Sequence, residues 1–178
     1  VGARRVIVGV DGSLGSLQAL RWAAEEARER RATLVPVIAW VPPGGDFAER
    51  SHNSGYLRRM WRDAAAARLA EAFDAAGLGV LPEDMPVQTR VERGDAGPVL
   101  ADVADEPGDL LVIGTGRRRR AARVLRRSVG RYLLVHARCP VLAVPPSALM
   151  EEVGHSWPWG RSWSLRGLAG SRGGTDLG

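Results

Sequence analysis

Five short apolar runs, each joined to the next by a stretch with helical periodicity, constrain this chain more than any other feature. They lie at residues 5–10 (RVIVGV), 33–41 (TLVPVIAWV), 87–91 (VQTRV), 109–116 (DLLVIGTG) and 139–147 (CPVLAVPPS). Most are rich in β-branched residues and do not alternate with polar ones, the pattern of strands buried on both faces. Strand and helix alternate as far as residue 147. That order predicts α/β architecture: one open, five-stranded parallel sheet with helices on both faces. Right-handed crossovers then bring the loops after the first and fourth strands to the carboxyl edge, where open α/β sheets bind ligands. Asp11–Ser13 and residues 114–120 are therefore expected to face one crevice.

The helical stretches carry their own signals. Leu17, Leu20, Ala24 and Ala27 share one face of the first, with Glu25, Arg28 and Glu29 turned away. The second spans residues 56–77, with Leu57, Trp61, Ala64 and Phe73 as expected core and Gly77 as its stop. The third, at 94–106, has Asp95 as its cap and Pro98 in its first turn. The last, at 128–137, has Ser128 as its candidate cap. Pro36 within the second strand predicts a bulge or an edge position. Residues 42–55 read as a loop from their Pro, Gly and Ser content. The expected domain is 1–147. Residues 148–178, rich in Gly, Ser and Trp, are expected to form an appended tail, disordered or loosely docked.

Charge is uneven. The net charge is +5 over 178 residues, yet residues 117–138 hold nine arginines and no acid. The remainder has sixteen arginines against twenty acids, net −4. Basicity confined in this way suggests a site more than a uniformly cationic protein. Cys139 is the single cysteine, which fits a reducing cytoplasm. No apolar run approaches the ~20 residues that span a bilayer. The five apolar residues before Asp11 are too few for a secretory signal core. His52, His136 and His155 are scattered, without metal-ligand spacing. The expectation is a cytoplasmic protein with no bound metal.

Taken together and in order, VIVGVDGS at the first strand, VIAW at the second, ERGDAGPVL, LLVIGTG at the fourth strand and SVGRYLLVHARCPVLAVP resemble the universal stress protein family. The resemblance covers about residues 4–147. It implies strand order 3-2-1-4-5 and a homodimer formed by antiparallel pairing of the last strand, here Val141–Val144. It also implies regulation more than catalysis. Some members bind ATP through G-x-x-G, nine residues, then G-S or G-T. Laid on this chain, the first glycine is Gly114 and the serine is Ser128, while the other two glycines fall on Arg117 and Arg127. The implied nucleotide contacts are Asp11, Gly12 and Ser13 in the first loop, Ala39 near the adenine, and Ile113, Gly114, Thr115, Ser128 and Val129 toward the phosphates.

The arginine loop supports three readings. Glycines in a phosphate loop permit positive φ and close approach of backbone N–H groups, and arginine gives neither cheaply. Guanidinium groups, however, recognise phosphate bidentately, and a helix N-terminus at Ser128 favours an anion. An adenine nucleotide, ATP above all, is then the expected ligand. Alternatively, seven arginines in residues 117–127 are a nucleic-acid contact. Against that, no known nucleic-acid motif and no interleaved aromatic accompany them. Third, Arg123, Arg127 and Arg131 recur every four residues as a solvated stripe, with Val124, Leu125, Val129 and Leu133 facing inward.

Asp11 serves either as acceptor for adenine or ribose or as turn chemistry ahead of a helix. A phospho-receiver reading fails, because the third strand ends in VERG without an acceptor Asp. No paired nucleophile and base stand close in sequence, so no enzymatic activity is expected beyond slow, incidental ATP hydrolysis. Cys139 reads as a core thiol, and His136 as a cation at a helix C-terminus. The tail motif WPWGRSW offers aromatic anchors for this chain, a second copy or an unknown protein partner. The expected function is regulatory: nucleotide-dependent loop order read by a partner. The alternative is a stress protein without nucleotide that acts through its dimer and partner surfaces.

Overall fold

A computed structural model describes residues 5–43, 55–79, 85–115 and 129–147. Among the described residues nine elements follow in order: β1 (Arg5–Gly9), α1 (Leu14–Arg30), β2 (Thr33–Trp40), α2 (Gly55–Ala75), β3 (Arg90–Arg93), α3 (Ala96–Val103), β4 (Leu110–Gly114), α4 (Val129–His136) and β5 (Val141–Val144). The strands form one five-stranded sheet in the order β3-β2-β1-β4-β5. Every pairing within it is parallel.

The central strands explain the unbroken apolar runs. Successive residues of a strand point to opposite faces, so a strand covered on both sides needs apolar residues at every position. Val6 and Val8 join one core with Leu20, Leu34, Ile38, Leu69 and Val112, under α1 and α2. Ile7 joins the other with Val35, Val37, Val99, Leu111 and Leu133, under α3 and α4.

The first helix buries Leu17, Leu20, Ala24 and Ala27, the face expected from its periodicity. Its end is unusual. Arg31 adopts a left-handed conformation, φ 52°, while its N–H bonds the carbonyl of Arg28 and the N–H of Ala32 bonds that of Ala27. This is the Schellman closure, with arginine where glycine is preferred. In α2 the buried residues are Ala65, Leu69 and Ala72, with Leu57, Trp61 and Phe73 half-buried. Ala64 is exposed, which corrects the expectation that it is core. The stripe runs through Trp61, Ala65, Leu69 and Ala72, one residue away from the face that Ala64 would need. The helix ends before Gly77, whose N–H bonds the carbonyl of Asp74.

Pro36 lies neither at an edge nor in a bulge. It is buried in β2, between β1 and β3. Leu34 exchanges hydrogen bonds with Pro86 and Gln88 on the β3 side, whereas Val37 accepts from Val10 beyond the end of β1. Alternation then turns the missing N–H of Pro36 toward β3. There the ladder is interrupted between the Leu34–Val87 bridge and the Val37–Arg90 pair, with the register unchanged across the gap. The regular third strand accordingly begins at Arg90, three residues later than the apolar run suggests.

At the amino edge, Arg5 fastens the starts of β1 and β4. Its Nε lies 2.9 Å and its Nη2 2.6 Å from the two carboxylate oxygens of Asp109, which is buried. The same Nη2 lies 2.9 Å from Asp105. Above all through the Asp109 hydrogen bond, the Arg5 guanidinium is held charged more firmly than usual. In return, Arg5 holds the Asp105 carboxyl below its ordinary range.

Candidate functional site

The carboxyl edge is where the first and fourth strand loops meet. Parallel pairing of Val6–Val8 with Leu110–Val112 sets the ends of β1 and β4 side by side. The chain leaves β1 through Val10, Asp11 and Gly12 and turns into α1. Asp11 and Gly12 are exposed, and Gly12 has φ 77°, the left-handed region open to glycine.

This loop is held by a short hydrogen-bond circuit. The Asp11 carboxylate accepts from the Ser13 N–H at 3.0 Å. The Ser13 hydroxyl accepts from the Ser16 N–H at 3.2 Å, capping α1. The Ser16 hydroxyl donates to the Ser13 carbonyl at 2.9 Å and accepts from the Asp11 N–H at 3.3 Å. Asp11 thus performs the turn chemistry that its sequence context permits. Ser16, 4% exposed, is the centre of the circuit. The sequence reading missed it, because a serine three residues into a helix carries no distinctive signal beside its cap.

The phosphate-side residues fall into two groups. Ile113 and Gly114 end β4, and Thr115 follows it, exposed, with its N–H and hydroxyl both directed to the carbonyl of Val144. Gly114 packs directly on the first turn of α1. A Cβ there would overlap the Gly15 carbonyl and stand 2.5 Å from the Ser16 nitrogen. The fold therefore brings Asp11–Ser13 and Gly114–Thr115 to one place, as the topology requires. Val129 begins α4, half-buried against the same core as Ile113. Arg117, Arg127 and Ser128, with the rest of the arginine loop, lie outside the described residues, as does the tryptophan tail.

Ala39, near the end of β2, is half-buried and packs against the α3–α4 side of the sheet. Its neighbour Trp40 turns to the opposite core and is 7% exposed. The Trp40 indole Nε1 is buried with no hydrogen-bond partner among the described residues. Asp95 stands at the start of α3 in extended conformation, but its side chain makes no capping bond. Among the described residues no group of His, Cys, Asp and Glu side chains is arranged to hold a metal ion. No described helix is long and apolar enough to cross a membrane.

Cys139 lies just before β5, partly buried, and burial pushes its thiol pKa up. A thiol so shifted is a poor nucleophile at neutral pH. His136 stacks on Tyr132, ring centroids 4.1 Å apart, and its Nδ1 lies 2.9 Å from the Tyr132 carbonyl. It occupies the last turn of α4, the helix-terminal place expected of it.

Comparison with known proteins adds family context to this geometry. The model of the universal stress protein family matches residues 2–145. The universal stress proteins Rv2624c and Rv2623 of Mycobacterium tuberculosis are each 32% identical, over 140 and 144 residues, or 78% of this chain. The chain spans about half their length, 47% and 46% respectively. Among solved structures, a universal stress protein in complex with cAMP aligns with 83% of this chain and 100% of its own. Its TM-score is 0.55 and its identity 27%.

Proposed function

The chain belongs to the universal stress protein family, and on that premise we propose that it is a regulatory protein whose carboxyl-edge site takes an adenine nucleotide. The observation that carries this reading is the convergence of Asp11–Ser13 with Gly114–Thr115 at one edge. The cAMP complex of a structural neighbour supports the class of ligand. ATP is the nucleotide that the arginine-bearing motif of this chain suggests, with AMP and cAMP as members of the same class. Asp11, Gly12 and Ser13 bind from the first loop, and Ala39 lines the adenine end. Ile113, Gly114, Thr115 and Val129, with Arg117, Arg127 and Ser128, serve the phosphates. The protein acts by binding, in the cytoplasm, and any hydrolysis is slow and incidental.

The functional unit is residues 1–147, with 148–178 as an appended segment, and it works as a homodimer paired along Val141–Val144. The two sheet edges support this assembly. At one, β3 carries Arg90, Glu92 and Arg93, charges that discourage pairing with another strand. At the other, β5 is Val-Leu-Ala-Val and carries no charge. Such an edge calls for a cover, and an isologous pair supplies one.

Calorimetric titration with ATP, AMP and cAMP, after mass spectrometry for co-purified nucleotide, tests the binding. Saturable binding weakened by Asp11→Ala is expected. Absence of binding to all three, with none carried through purification, would overturn it and leave a protein acting through its surfaces alone.

A further inference from the structure

The carboxyl-edge site and the edge strand β5 share one hydrogen-bonded group. Thr115 donates twice to a single acceptor. Its backbone N–H lies 2.7 Å, and its hydroxyl 3.2 Å, from the carbonyl oxygen of Val144, the last residue of β5. The first bond extends the parallel ladder in which Gly114 pairs with Val144. The second is additional to the ladder and comes from an exposed side chain at the ligand edge. A hydroxyl has one proton to donate. It serves the Val144 carbonyl or a phosphate oxygen, not both at once, and a charged acceptor makes the stronger bond.

Resting on the reading that a phosphate-bearing adenine nucleotide binds here, we infer that Thr115 couples the site to β5. Bound phosphate takes the Thr115 hydroxyl and removes one of the two bonds on the Val144 carbonyl. The effect falls on a strand able to respond. β5 has four residues and lies at the edge of the sheet. Among the described residues its only neighbouring strand is β4. Loss of one such bond changes local opening by about two- to tenfold. Linkage makes the effect reciprocal: by whatever factor nucleotide changes the affinity of β5 for a second copy, that copy changes nucleotide affinity by the same factor. Thr115 is in this sense a positioning residue for the edge strand as well as a ligand contact.

Hydrogen exchange of the full chain, followed by mass spectrometry on peptides covering residues 110–115 and 139–147, tests the coupling. AMP is the probe, with its binding followed by calorimetry, and adenosine is the phosphate-free control. In the wild-type protein AMP should speed exchange in these peptides by about two- to tenfold, and adenosine should leave it unchanged. Thr115→Val keeps the backbone bond and removes the hydroxyl, so its exchange should be fast without ligand and indifferent to AMP. Thr115→Ser should respond as the wild type does. If AMP binds but exchange is unchanged or slower, the coupling is wrong and the nucleotide reading stands. A full response by Thr115→Val would have the same meaning. If AMP does not bind the wild type, ATP and then cAMP replace it as the probe; if none of the three binds, the nucleotide reading falls, and the coupling with it.

Discussion

Gly114 at the end of β4 and Gly15 in the first turn of α1 meet backbone to backbone, with no room for a side chain on Gly114. The contact seats α1 on the sheet and thereby fixes the turn that presents Asp11. Gly114 is also the first glycine of the motif that suggests a phosphate loop, and its packing accounts for it without any phosphate. Gly114→Ala should destabilise the fold by about 2–3 kcal/mol, because the added methyl must displace backbone and not a flexible side-chain end. The measurement is urea denaturation, read as a lower midpoint at unchanged slope. Wild-type stability in this variant would show that α1 shifts freely, and would return Gly114 to its role as a phosphate residue.

The sheet was legible because burial on both faces leaves no polar position in a central strand, as in Val6–Val8 and Leu111–Ile113. The turn at Asp11–Ser13 was legible for a similar reason, since Asp, Gly and Ser each have a local job there. Less could be read where a residue acts through distant chain. The place of Pro36 depends on which neighbour its missing N–H faces, which the hydrogen-bond phase of β2 between β1 and β3 decides. Ala64 and Ala65 are indistinguishable in sequence, and the pitch of α2 over the sheet selects Ala65. The Thr115 hydroxyl bond to Val144 spans 29 residues and has no periodic signature.

Arg31 holds a left-handed backbone conformation that costs a residue with a Cβ on the order of 1–2 kcal/mol. Glycine removes this strain but gains freedom in the unfolded chain, which takes back part of the benefit. Arg31→Gly should therefore stabilise the protein by roughly 0.5–1 kcal/mol. Thermal unfolding should show a higher midpoint. A lower one would mean that the Arg31 side chain contributes more than its backbone strain costs.

Arg5 and Asp109 form a bidentate pair in which the carboxylate side chain is 1% exposed. The Glu106 N–H also donates to that carboxylate, at 3.1 Å. Asp109→Ala leaves Arg5 partly buried without its main partner and should cost about 3 kcal/mol. Asp105 adds a pH dependence. Arg5 lowers its pKa below the ordinary 3.8, so its stabilisation is complete above the unfolded value and is lost as pH falls through the folded one. Urea midpoints measured from pH 7 downward should decline below about pH 4, and Asp105→Asn should make that decline shallower. An identical acid profile in this variant would remove Asp105 from the account.

Arg117 and Arg127 stand where the ATP-binding motif has glycine, and they decide between backbone and guanidinium recognition of the proposed nucleotide. If phosphate is held by backbone N–H groups, a Cβ at either position obstructs the approach, and the double variant Arg117→Gly, Arg127→Gly should bind ATP more tightly. If the guanidinium groups have replaced those contacts, the same variant should bind more weakly. Its affinity should also depend less on salt, because two charge-assisted contacts are gone. The backbone argument predicts the first outcome. Titration at low and high ionic strength separates the two, since steric relief raises affinity at both, whereas lost charge lowers it mainly at low salt.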